Sequence, residues 1–186
     1  MLYIEQRHVQ EPLSERSHGA MLNDLTNRIK ALSTVHQLLS DSSWSPLFLR
    51  DLVLQVSSSA LQVFPQDRQV LVEVISTDQV TVTPKDAHNL AIVINELATN
   101  VIKYAASDSE TTHVRVDICR EKDTRYIRFS FRDDGPGFPE TVLRGEKRRV
   151  GMYLMENTVC HSLRGTIEFR NDQGAVVSIQ FIRDVE

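Results

Sequence analysis

The sequence predicts an α+β, two-layer sandwich preceded by a segment of helical hairpin. Three observations predict it. Leu22, Leu25, Ile29, Leu32, His36 and Leu39 recur at alternating steps of three and four, the heptad seam of a helix packed lengthwise on another. Beyond Pro46, short β-rich stretches with apolar–polar alternation come in pairs, with helical stretches between them. Mostly antiparallel strands with helices on one face bury such a set in two layers. The chain of 186 residues suits one domain plus an appendage. The expected division is 1–43 for the hairpin segment and 44–186 for the domain.

Residues 1–12 read as a short helical piece ended by Pro12, and LSERSHGA, with Gly19, as a connection. The seam helix follows and stops at SDSSWSP, which is turn chemistry. LFLRDLVLQVSSSALQVF is apolar on more than one side, so it reads as a buried helix ended by Pro65. QVLVEVIS and QVTVT read as strands. Pro84 stands at the first turn of the helix PKDAHNLAIVINELATNVIKYA, whose apolar face is Leu90, Val93, Ile94, Leu97 and Val101. THVRVDICR and RYIRFSFRD alternate as half-buried antiparallel strands joined by EKD. GPGFPETVLRGEKRRVG reads as a loop and MYLMENTVCHSL as a helix with Gly165 as its cap. GTIEFR and AVVSIQFI form a hairpin through NDQG.

An apolar share of 41% supports a real core, and no apolar run has the length of a membrane span. The start LYIEQRHV lacks the charge and apolar run of a signal peptide. Cys119 and Cys160 are too few for a disulfide framework or a cysteine zinc site, and they fit a reducing, cytoplasmic setting. A net charge of −4 without a basic block argues against a nucleic-acid partner.

Two stretches carry chemistry. Glu96, Asn100 and Lys103/Tyr104 share one face of the long helix, because residues three and four apart are helical neighbours. A carboxylate, an amide oxygen and an ammonium in a row suit a hydrated magnesium ion and a phosphate chain. The same spacing also fits a solvated face with an incidental salt-bridge pattern. In RDDGPGFPE, Asp133 ends an apolar strand, where a carboxylate can accept from an exocyclic amine. Gly135 and Gly137 leave room for a flat ring or a phosphate near the backbone, although D-G and P-G also make plain turns. Gly151 opens a helix, and a helix N-terminus attracts anions.

The succession NELATNVIKY, DDGPGF, RRVGMYL and a final GTIEFRND hairpin resembles the ATP-binding domain of sensor histidine kinases, in the Bergerat-fold ATPase group. The three stretches look like the family's N box and its first and second glycine boxes, and the resemblance covers roughly residues 45–182. LNDLTNRIKALSTVHQLL resembles the second helix of the dimerisation and phosphotransfer hairpin, in the class with an NEL-type N box. The resemblance implies that Asn100 coordinates Mg²⁺ between the phosphates of ATP, with Asn95 supporting the metal site. It implies that Glu96 stands where relatives carry a water-activating or proton-accepting carboxylate, that Lys103 reaches a phosphate and that Tyr104 flanks the base. Asp133 would accept the adenine amino group, and Gly135 and Gly137 would let the nucleotide pass. Residues 139–150 would form a lid, with Arg148 and Arg149 at the γ-phosphate. Gly151, Met152 and the N–H groups that follow would hold the phosphate chain.

The second glycine box is thin, which implies a short, stiff lid, and Ala175 stands where many relatives carry a threonine. No motif like HHRVKNN, which carries the family's phosphoaccepting histidine, occurs. His8 and His18 lack its neighbours, and His36 reads as a packed histidine of the seam. The expectation is a C-terminal piece of a longer kinase, with the acceptor upstream. The implied reaction is phosphoryl transfer from ATP to a histidine imidazole, then relay to the aspartate of a response-regulator receiver domain. The implied assembly is a homodimer through the hairpin, with no membrane contact by this segment. Two alternatives stay open: a serine kinase of the anti-sigma-factor type, and a non-catalytic phosphotransfer adaptor with a relic ATP site.

Overall fold

The computed structural model describes residues 13–62, 69–105, 111–122, 124–146 and 150–182. The expected helical piece at 1–12, the end of the second helix at Pro65, and Arg148 and Arg149 lie outside the described residues. Helix α1 (Leu13–Asp41) is followed by strand β1 (Leu47–Phe48), helix α2 (Leu49–Leu61), β2 (Gln69–Ser76), β3 (Thr81–Val82) and α3 (Pro84–Asn100). Strands β4 (Thr111–Arg120) and β5 (Tyr126–Asp133), helices α4 (Glu140–Leu143) and α5 (Val150–Asn157), and strands β6 (Thr166–Asn171) and β7 (Ala175–Ile182) complete the chain. Short π-helical turns extend α3 over Val101–Ala105 and α5 over Thr158–Ser162.

The main sheet has the order β2-β4-β5-β7-β6. Its pairs are antiparallel except β2–β4, which is parallel and needs the crossover that α3 supplies. Strand side chains alternate as a half-buried sheet requires. Ile127, Phe129 and Phe131 of β5 and Val177, Ile179 and Phe181 of β7 point into the core, while Arg115 and Arg128 stay outside. The helices bring Leu49, Leu52, Val53 and Val56 of α2, and Leu90, Val93, Ile94 and Leu97 of α3, onto the same core. This is the α+β sandwich that the sequence predicts, and the five residues of the predicted α3 face are all buried.

Four local expectations are corrected. LSERSHGA is not a connection, because α1 runs through it. Leu, Glu, Arg and Ala are good helix formers, and one glycine costs only about 1 kcal/mol, which a long helix absorbs. Only the end of the predicted seam packs α1 on the rest of the chain: Leu22, Leu25, Ile29 and Leu32 are exposed, whereas Leu39 enters the core with Ala31 and Val35, which lie outside the seam. His36 is exposed too, its ring edge-on to Trp44 with centroids 5.5 Å apart. Leu47–Phe48 does not begin α2, and QVTVT shortens to Thr81–Val82, because these two pieces pair with each other. The Leu49 N–H then donates to the Val80 carbonyl at 2.9 Å. Gly165 is not the left-handed cap after α5. Arg164 takes that conformation (φ 52°), and the Gly165 N–H closes back on the Val159 carbonyl at 2.9 Å. A side chain at 165 would meet the Gln180 carbonyl oxygen at 2.2 Å.

No described helix is long and apolar enough to cross a membrane.

Candidate functional site

Helix α3 positions the first half of the site. Thr83 caps it by accepting from the Asp86 N–H at 3.2 Å, and Pro84 fills the first helical position, where no N–H is needed. From that start the 3.6-residue period carries Glu96, Leu97 and Asn100 onto one wall of a cavity of about 860 Å³. The π-helical turn that follows adds Lys103, Tyr104 and Ala105. Such single π turns inside helices often mark functional sites. Asn100 has no side-chain hydrogen bond among the described residues, so its amide is available to a ligand.

Strand β5 supplies the opposite wall with Phe131 and Asp133. Asp133 Oδ1 accepts from the Gly135 N–H at 2.9 Å and the Ala175 N–H at 3.3 Å. These bonds fix the carboxylate and leave Oδ2 without a partner among the described residues. Burial pushes the Asp133 carboxyl above its ordinary range, against the pull of the two N–H bonds. Phe138, Val142, Met152, Ala175 and Val177 make the surroundings apolar. The cavity therefore combines an apolar lining with a carboxylate whose second oxygen can read a flat ring. Glu96, Asn100 and Lys103 add a carboxylate, an amide and an ammonium to the same lining.

Three glycines shape the walls. Gly137 has φ +80°, and a side chain there would meet Asn171 at 2.8 Å. Asn171 holds this loop by accepting from the Phe138 N–H and donating to the Phe138 carbonyl. At Gly151 a Cβ would stand 2.5 Å from Glu96 Oε2, so α5 starts pressed onto the Glu96 carboxylate. At Gly135 the obstacle is Ala105, whose Cβ would be 2.5 Å away.

Of the predicted site residues, Glu96, Asn100, Lys103, Tyr104, Asp133, Gly137, Gly151 and Met152 all line the cavity. Gly135 does not: it lets the loop pack on the end of α3 and donates to Asp133. Asn95 does not line it either. It is buried, and neither amide atom has a partner among the described residues. Sequence reasoning missed Leu25 and Arg28, which reach the cavity from α1. Arg28 Nε donates to Glu96 Oε1 at 2.8 Å across 68 residues of chain. No local pattern signals a pair so far apart.

Comparisons with known proteins agree with this geometry. Residues 85–184 match the family model described as histidine kinase-, DNA gyrase B-, and HSP90-like ATPase, and residues 8–74 match the HWE histidine kinase model. No curated protein matches the chain. Among solved structures, it is similar to the histidine kinase domain of the Erythrobacter litoralis EL346 blue-light activated histidine kinase. That likeness has TM-score 0.68 and 20% identity, covering 86% of this chain and 75% of the other. The longer EL346 structure gives TM-score 0.68 and 19% identity, covering 88% of this chain, which spans only 56% of that one. The Acinetobacter baumannii histidine kinase AdeS gives TM-score 0.58 and 20% identity, covering 96% of this chain and 89% of the other. At such identities these structures speak for the fold alone, and the family match over residues 85–184 speaks for the family. The chain belongs to the histidine kinase-, DNA gyrase B- and HSP90-like ATPase family, as the ATP-binding catalytic region of a sensor histidine kinase.

Proposed function

We propose that this cavity holds ATP with Mg²⁺ and delivers the γ-phosphate to a histidine imidazole on a helical hairpin, for relay to a receiver-domain aspartate. The observation that carries the reading is the donor set that one cavity collects: Asp133, tied by Oδ1 to two backbone N–H groups, together with Glu96, Asn100 and Lys103 and an apolar lining. Asp133 Oδ2 accepts from the adenine amine, while Oδ1 stays tied to the loop and to β7. Tyr104 flanks the base. Lys103 draws the phosphate chain. Gly151, Met152 and the first N–H groups of α5 receive it at the helix start. The uncommitted amide of Asn100 fits Mg²⁺, which takes few protein oxygens and keeps its waters and phosphates. When bound, the ion neutralises charge on the phosphates. Glu96 stands on the same wall and accepts the proton released at the attacking group. On this reading α1 is the second arm of the hairpin, and the exposed seam is its dimer face.

Calorimetric titration with ATP and Mg²⁺ tests the reading. Binding should be lost in Asp133→Ala, and its magnesium dependence should be lost in Asn100→Ala. No binding by the unaltered chain at about 1 mM ATP, an affinity weaker than about −4 kcal/mol, would sink it.

A further inference from the structure

The nucleotide cavity borrows a charge from the seam helix. Glu96 is nearly enclosed, its side chain 9% exposed, and among the described residues its only ion pair is with Arg28. Its second oxygen rests over Gly151, where α5 begins. The carboxylate thus sits at a three-way junction of α1, α3 and α5. Arg28 meets it through Nε alone, and both side chains face the cavity beside Asn100. A carboxylate in that place poses a physical problem for the reaction. A triphosphate is strongly anionic, and an uncompensated Glu96 would repel it across a poorly solvated gap, where charges act more strongly than in water.

We propose that Arg28 is a positioning residue for nucleotide binding, which neutralises and holds Glu96 so that the cavity accepts a triphosphate beside it. The inference rests on the ATP reading above and adds a dependence on α1, because Arg28 lies outside the ATPase-family match at 85–184. Docking of α1 and binding of ATP are therefore coupled. Withdrawing α1 removes the guanidinium and weakens ATP binding, and bound ATP favours docked α1 by the same factor.

Mg-ATP affinity measured by calorimetry on the whole chain tests this with four variants. Arg28→Ala should raise Kd about tenfold, the order expected when one partner of a half-enclosed ion pair is removed. Arg28→Lys, which keeps the charge, should recover most of that loss. Glu96→Gln should bind at least as tightly as the unaltered chain. Arg28→Ala/Glu96→Gln should return close to it, because the repulsive charge is gone. A merely structural role for Arg28 gives no such rescue. Unchanged affinity in Arg28→Ala, or a double variant as weak as Arg28→Ala, overturns the proposal. Failure of the unaltered chain to bind ATP overturns the ATP reading itself and this inference with it.

Discussion

Asp133 answers two conflicting demands. To read an adenine amine its carboxylate must stay ionised, yet its apolar surroundings oppose the charge and raise its pKa. A carboxyl whose pKa is raised by folding favours the folded state when protonated. That contribution is full below the ordinary value of 3.8 and is lost as pH climbs through the raised value. At neutral pH the ionised group therefore works against stability. Asp133→Asn, which keeps an oxygen for the Gly135 and Ala175 N–H groups, should melt at a higher temperature than the unaltered chain at pH 7. The gap should close as pH falls below 3.8, where both side chains are neutral in the folded and unfolded chain alike. Thermal melts across that range check the sign, and a gap that widens on acidification would contradict it. Nucleotide affinity should move the opposite way, falling in Asp133→Asn, the trade expected at a functional site.

At the scale of elements, the site depends on how closely the loop after β5 approaches the end of α3. Gly135 lies so near Ala105 that a methyl group would stand 2.6 Å from the Ala105 Cα, a backbone atom that cannot rotate aside. Gly135→Ala should cost about 1–3 kcal/mol, the usual range for overpacking. It should also weaken ATP binding, because the Gly135 N–H aims Asp133. Urea denaturation beside a binding titration measures both, and a variant of unchanged stability would refute the packing argument. This junction also shows what the sequence could and could not disclose. Helical period places Glu96, Asn100 and Lys103 on one face, and strand alternation ends on Asp133, so the polar walls are legible locally. The reasons for glycine at 135 and 151 are not, because Ala105 and Glu96 come from a different element. The same limit hid the β1–β3 ladder and the Arg28–Glu96 pair. Each joins segments that no local window contains.

For the molecule as a whole, α1 plays two parts along its length. Ala31, Val35 and Leu39 share the core of the sheet and the other helices, so the C-terminal half of α1 is anchored. Leu22, Leu25, Ile29 and Leu32 repeat at heptad spacing yet remain exposed, Leu22 by 63% and Ile29 by 57%. The heptad period was readable in the sequence; which residues of α1 meet the core was not, because that depends on where α2 and α3 lie. A sustained apolar stripe of this kind is the mark of a lengthwise helix contact. Burying each such side chain is worth about 1.5–3 kcal/mol, and a two-fold contact counts every residue twice, which suffices for association at micromolar concentration. The chain should therefore self-associate through α1, and Ile29→Asp should shift it to monomer by light scattering or sedimentation. Because the stripe is apolar, the dimer should persist at high salt, whereas ATP affinity, which depends on Lys103 and the Arg28–Glu96 pair, should respond to salt. A wild-type monomer at high micromolar concentration would separate the stripe from self-pairing and remove the support it gives to a hairpin dimer.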